Sequence, residues 1–215
     1  MSQFFISGIG TDVGKTFVTC ALLNQEPSYK SIKPILSGYD CVAGSDAGEL
    51  LQAMDETPSE SAAQSISPFR FKAPLSPHLA AAKEGKVIDK EKLLNYCNKS
   101  INTKKNLLIE GAGGLMVPIT PDWLMIDWMR ALGLPVILVG ASYLGAINHT
   151  LLSLQALEKS ELNLHALIIS QSENCAGLTD TAQSIAPFMP IGAALISVPR
   201  ISSWRDAPNL LSLLA

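Results

Sequence analysis

The sequence has no long apolar run, no cysteine pair and no excess of basic residues, and each absence narrows what the chain can do. No stretch reaches the ~18 consecutive apolar residues of a membrane span, and the N-terminus lacks the basic segment that precedes a signal-peptide core. A cytoplasmic protein with no membrane partner is expected. Cys20, Cys41, Cys97 and Cys175 form no CxxC pair, and no histidine stands at metal-ligand spacing. Neither a zinc site nor a redox dithiol is indicated, which leaves reduced thiols. Lys and Arg number 16 against 19 Asp and Glu, for a net charge of −3 without a basic cluster. Nucleic acid needs an electropositive footprint, so it is not an expected partner; small ligands are.

What is present is a chain of 215 residues, 47% hydrophobic and 16% charged, enough for one compact domain with a single core. Short apolar runs recur with helical segments between them. "FFIS" (4–7), "SIKPIL" (31–36), "NLLIE" (106–110), "PVILVG" (135–140), "HALIIS" (165–170) and "ALISVP" (194–199) read as strands. Several are apolar at consecutive positions, the pattern of strands covered on both faces. "KTFVTCALLNQ", "DKEKLLNYCNKSI" and "AINHTLLSLQALEKSE" read as helices, and the polar, proline-bounded 55–68 as a surface loop or weak helix. The fold class expected is α/β: one doubly wound, mostly parallel sheet with a phosphate-binding loop of the P-loop NTPase type.

That loop is "GIGTDVGKT", residues 8–16, set between a strand and a helix. The common pattern places four residues between its first glycine and Gly-Lys-Thr; here Gly8 is one residue too early. The setting is nonetheless that of an anion cradle. Backbone N–H groups of the loop, from Gly8 through Asp12, Val13 and Gly14, and of the first helical turn would converge on phosphate, helped by the helix dipole. Lys15 would neutralise the outer phosphates and the Thr16 hydroxyl would bind Mg²⁺. A magnesium ion needs further hard oxygen ligands. Glu110, ending a strand at the carboxyl edge of the sheet where ligands bind in such folds, is the first candidate. Asp46 in "GSDAGEL" is the second, although taken alone it reads as a helix N-cap.

"GIGTDVGKT", "KPILSG" (33–38), "SDAGEL" (45–50), "APLSPHLAA" (73–81), "EGAGG" (110–114), "PVILVG" (135–140) and "LGAINHTLL" (144–152) resemble, in order and spacing, the dethiobiotin synthetase family. The resemblance covers residues 1–170 well and the tail poorly. The family's loop also has five residues between its glycines, so Gly8, Gly14, Lys15 and Thr16 are the fixed points. The resemblance implies that ATP, CO₂ and 7,8-diaminononanoate give dethiobiotin, ADP and phosphate, with Mg²⁺ as cofactor. The diamine is captured as a carbamate, its oxygen attacks the γ-phosphate, and the neighbouring amine closes the ureido ring. Every step concentrates negative charge, so preplaced cations are the main requirement. At ~4 Å one cation–anion contact is worth about 4 kcal/mol at an effective dielectric of 20, against about 1 in water.

The resemblance also implies roles for particular residues. Lys33 would contact carbamate and phosphate, Ser37 the substrate, and Thr11 the phosphates; Asp12 stands where many members carry Glu. Gly111 and Ser170 join the nucleotide set. Ser76, Pro77 and Gly113 would line the diamine chain. Leu144, Gly145 and Asn148 would receive its carboxylate from the neighbouring subunit, making the protein a homodimer. Lys15 and Lys33 are expected to offset phosphate charge instead of packing in the core. His78 and His149 read as structural. Ser170 occupies a place where better-known members have an Asn that pairs with both edges of adenine, which a hydroxyl cannot do; base selectivity is therefore expected to be weak unless Gln171 supplies the amide. The main rival reading is a nucleotide-switched partitioning ATPase, but "GIGTD" lacks the extra early lysine of that group. A related amidoligase is the other rival, and 215 residues leave no room for the glutamine amidotransferase to which it is normally fused.

Overall fold

A computed structural model describes residues 2–173, 175 and 177–214. In chain order the elements are β1 (Gln3–Gly8), α1 (Lys15–Gln25), β2 (Lys30–Ile32), β3 (Ile35–Ser37), α2 (Asp46–Ala53), α3 (Glu60–Ile66), β4 (Phe69–Phe71), α4 (Pro77–Lys83) and α5 (Lys90–Thr103). They continue as β5 (Leu107–Gly114), β6 (Pro118–Thr120), β7 (Trp123–Leu124), α6 (Met125–Leu132), β8 (Val136–Ala141), α7 (Ala146–Lys159), β9 (Leu164–Ser170), α8 (Leu178–Ile185) and β10 (Ala194–Val198), with short 3₁₀ turns after α8 and in the tail.

Six strands form one sheet in the order β10-β9-β8-β1-β5-β2, and every pairing in it is parallel. The continuous apolar runs explain why. All six residues of β8 are buried, which requires cover on both faces, and only helical crossovers supply that. Helix α1 packs on α2 and on the turn Trp204–Asp206, α5 on α6, and α7 on α8. The core between these layers centres on Phe5, Ile6, Leu22, Ile109 and Trp128, all essentially inaccessible. The result is the expected single α/β domain with a parallel sheet.

Two sequence expectations change in detail and a third, left between loop and weak helix, is decided. "SIKPIL" is two strands in different sheets, because Pro34 has no N–H to continue the ladder. The backbone N–H of Lys33 turns away to the carbonyl of Ile66 (3.1 Å), and β3 then pairs with β4 in a separate two-stranded sheet. Glu110 does not end its strand: β5 runs on to Gly114. Regular pairing with β1 does stop there, since the register shifts after Ile6 opposite Glu110. The segment 55–68 contains the seven-residue helix α3, capped by the Ser59 hydroxyl.

Candidate active site

The loop between β1 and α1 wraps so tightly that its glycines are needed for space. A Cβ on Gly8 would lie 2.9 Å from Val13 Cγ2 and 3.2 Å from the Gly10 carbonyl oxygen. Gly14 caps α1 in the left-handed region (φ 95°), and a Cβ there would lie 2.9 Å from Ser170 Oγ. No side chain caps α1 and its first turn holds no acidic residue, so the helix presents its N–H groups and positive end to the loop. Asp12 also has positive φ (56°), a costly conformation for a non-glycine residue. Lys15 bends back across the loop and donates from Nζ to the Gly10 carbonyl at 2.7 Å. Burial, then the neighbouring Lys33, lowers its pKa to about 8.

Beside the loop, side chains from α1, α2 and β5 meet that of Lys33, in the link between β2 and β3. Thr16 Oγ1 donates to Glu110 Oε1 at 2.6 Å. Lys33 Nζ lies 2.8 Å from the same Glu110 oxygen and 3.4 Å from Thr16 Oγ1, and it pairs with Asp46. Glu110 is fully buried, and Lys15 and Lys33 are only 6% and 5% exposed. The expectation that neither lysine packs inside is therefore corrected: both ammonium groups are enclosed, and both belong to the site. Burial alone would lower the Lys33 pKa, but Glu110 and Asp46 outweigh it and hold the ammonium well above its usual value. Burial likewise works against the Asp46 carboxylate, and the Lys33 charge reverses that and keeps its pKa low. Asp46 is not the helix cap. Ser45 takes that position by accepting from the Gly48 N–H at 3.2 Å, which frees Asp46 for the cluster.

Thr16, Asp46 and Glu110 form a set of hard oxygen donors, and Glu110 Oε2 is buried with no hydrogen-bond partner among the described residues. That chemistry fits a magnesium ion completed by phosphate oxygens and water.

Two large cavities open along the carboxyl edge of the sheet. One, of about 910 Å³, is lined by residues that include Thr11, Lys15, Thr16, Lys33, Ser37, Asp46, Ser76, Pro77 and Gly113. Ser37 Oγ is buried and unpartnered among the described residues. The other, of about 1010 Å³, is lined by Val13, Ser170, Gln171, Glu173 and residues 199–202. Asp12, Gly14 and Phe17 line both, so the cavities adjoin across the loop. The fold thus gathers most of the sequence-selected residues. It does not bring Gly111 to either cavity, since that residue packs where a Cβ would lie 3.0 Å from Phe5 and 3.1 Å from Met125 Sδ. Leu144, Gly145 and Asn148 are exposed and line neither cavity. His78 Nδ1 sits 3.2 Å from the Pro118 carbonyl oxygen, and His149 Nδ1 sits 2.7 Å from Tyr143 Oη. Sequence reasoning missed the wall at Pro199–Ser202. The signal was available, because the loop after a further parallel strand must emerge at the same sheet edge.

Residues 2–206 match the family model described as an AAA domain. Curated relatives named ATP-dependent dethiobiotin synthetase include one from Phenylobacterium zucineum, 48% identical over 180 residues (80% of this chain, 77% of the relative). Another, from Caulobacter vibrioides (strain NA1000 / CB15N), is 39% identical over 222 residues (100% and 99%). The chain belongs to the dethiobiotin synthetase family. Dethiobiotin synthetases are ATP-dependent ligases of biotin biosynthesis, and the Caulobacter match extends the likeness through the tail, where the motifs had been faint. A ParA family ATPase from Chlorobium tepidum shares the fold at 13% identity and a TM-score of 0.52, covering 94% of this chain and 85% of that one. At that identity the likeness speaks for the architecture alone. Among the described residues no helix is long and apolar enough to cross a membrane.

Proposed function

We propose that the protein is an ATP-dependent dethiobiotin synthetase that carboxylates 7,8-diaminononanoate with CO₂ and closes the ureido ring through a carbamic–phosphoric mixed anhydride. The observation that carries this reading is the approach of two buried ammonium groups, Lys15 and Lys33, to one cavity beside the phosphate loop. ATP would lie with its phosphates over Gly14, Lys15 and Thr16 and its base in the cavity walled by Ser170, Gln171 and residues 199–202. The diamine would occupy the adjoining cavity, where the unpartnered Ser37 hydroxyl offers a hydrogen bond.

An amine of the substrate adds to CO₂ and loses a proton, giving a carbamate. Its oxygen attacks the γ-phosphorus and ADP leaves. Lys15 and Lys33 offset the charge that builds where two anions meet, and burial strengthens each contact. The second amine then attacks the carbamoyl carbon, loses its proton and expels phosphate. Thr16, Asp46 and Glu110 would hold Mg²⁺, which when bound supplies further charge neutralisation for the β- and γ-phosphates. The direct test supplies purified protein with ATP, Mg²⁺, bicarbonate and 7,8-diaminononanoate. Phosphate release that depends on the diamine is expected; release indifferent to it overturns the proposal.

The working form would be a homodimer. Leu144, Gly145 and Asn148 line neither of their own chain's two large cavities, and Asn148 stands one helical turn before Leu152 (56% exposed), which lines a smaller hollow with Met116 (60%). If that surface serves the neighbouring subunit, mixing Lys15→Ala protein with Asn148→Ala protein restores activity through hybrid dimers. A monomer by sedimentation under assay conditions would exclude this arrangement.

A further inference from the structure

Each side chain assigned above to the metal also contacts Lys33 Nζ. Glu110 Oε1 is at 2.8 Å and Thr16 Oγ1 at 3.4 Å, and the Asp46 carboxylate pairs with it directly. These partners come from β5, α1 and α2, so the convergence is not a local side-chain preference. One ammonium and two carboxylates leave the cluster with one net negative charge, in a place where Glu110 is fully buried. Such a cluster needs a cation at all times, because removing one partner of a buried ion pair is strongly destabilising. Lys33 also lines the cavity assigned to the diamine, so its side chain has a second place to go.

We infer that Lys33 is the resident cation of the metal site, and that a divalent ion enters by exchanging with its ammonium, which then moves into the substrate cavity. This rests on the metal reading under the proposed function. The exchange balances charge on both sides. A divalent ion in place of the ammonium makes the cluster neutral, and the released ammonium arrives where the carbamate and phosphate anions meet. The lysine needed for chemistry thus becomes available only once the metal is seated. With the metal absent, the carboxylates hold it back from the substrate.

The consequence is that Lys33 competes with the metal in the free protein, and this can be read without any turnover. Mn²⁺ serves as probe, with free ion followed by its paramagnetic resonance signal and heat by calorimetry. Without nucleotide, Lys33→Met is expected to bind Mn²⁺ about tenfold or more tightly than the unaltered protein, because the competing charge is gone. Lys33→Arg keeps a cation in the cage and is expected to stay at the original affinity. In EDTA, Lys33→Met should melt at a lower temperature and recover on adding Mg²⁺, while the unaltered protein shifts little. If the methionine variant does not fold, Lys33→Gln carries the same comparison. Mn²⁺ affinity that is equal in the Met, Arg and unaltered proteins overturns the exchange. The metal reading is judged separately, with ATP present: Mn²⁺ bound by the unaltered protein and lost in Glu110→Gln upholds it even where the exchange fails, and no Mn²⁺ bound under any condition removes both.

Discussion

The two cavities flanking the phosphate loop are similar in size and differ in what holds them. On the side lined by Lys33, the side chains of Lys15, Lys33, Asp46 and Glu110 are fixed by charge-assisted contacts in a mostly buried cluster. On the other side the wall mixes hydroxyls (Ser170, Ser172, Ser202), an amide (Gln171) and apolar side chains (Phe17, Pro199, Ile201) with the exposed charges of Glu173 and Arg200. Gln171 donates its N–H to the Val198 carbonyl at 2.9 Å and accepts from the Arg200 N–H at 3.0 Å. An ion pair there, Arg200 with Glu173 at 3.8 Å, is well exposed, and such pairs contribute little. The difference separates two tasks. On the proposed function, charge would be concentrated where bonds change, and the neighbouring cavity would need only to seat a ligand.

If that division is right, the largest effects come from the charged cluster. Lys15→Ala and Lys33→Ala should each reduce diamine-dependent phosphate release by more than about a thousandfold, or ~4 kcal/mol of barrier. Near-normal turnover in either would remove the mechanism. The two should part on stability: Lys33→Ala leaves Glu110 and Asp46 unpaired and should cost about 3 kcal/mol in urea unfolding, whereas Lys15→Ala relieves a buried charge. Next in size is Gly14→Ala, at the seam shared by both cavities. A left-handed φ and a collision with Ser170 should cost about 1–3 kcal/mol and weaken nucleotide binding measured by calorimetry; unaltered affinity would show that the loop relaxes freely.

Glu110→Gln should raise the Mg²⁺ concentration needed for half-maximal rate by about tenfold, since a neutral amide is a poorer ligand than a carboxylate. An unchanged Mg²⁺ titration would reassign Glu110 to holding Lys33 alone. The smallest effect belongs to the other cavity. With Ser170 unable to make a bidentate contact to adenine, and the Gln171 amide already engaged by Arg200 and Cys175, GTP or CTP should serve within about tenfold of ATP, or ~1.4 kcal/mol. Competition among the four nucleotides checks this, and a thousandfold preference for ATP would mean that this cavity reads the base after all.

Most of the architecture was legible because it rests on local patterns. Continuous apolar runs require strands covered on both faces, and "KTFVTCALLNQ" is α1 residue for residue. The break at Pro34 was visible as a residue but not as an event. A proline says that a ladder stops, while the new partner, β4, lies 34 residues further along the chain from β3. Asp46 stood open between helix cap and metal ligand for a related reason: Ser45 and Asp46 both suit the cap position, and only the turn geometry chooses between them.

The sequence by itself determined the phosphate loop and its lysine, since glycine spacing, strand and helix are all properties of neighbouring residues. Only the tertiary structure decided what surrounds Lys33. Its partners lie 13 residues away at Asp46, 17 at Thr16 and 77 at Glu110. They meet because parallel crossovers place β2 beside β5 and the carboxyl ends of both beside α1. The pairing that turns a lone lysine into a caged cation is set by strand order, and no local pattern in the chain encodes that order.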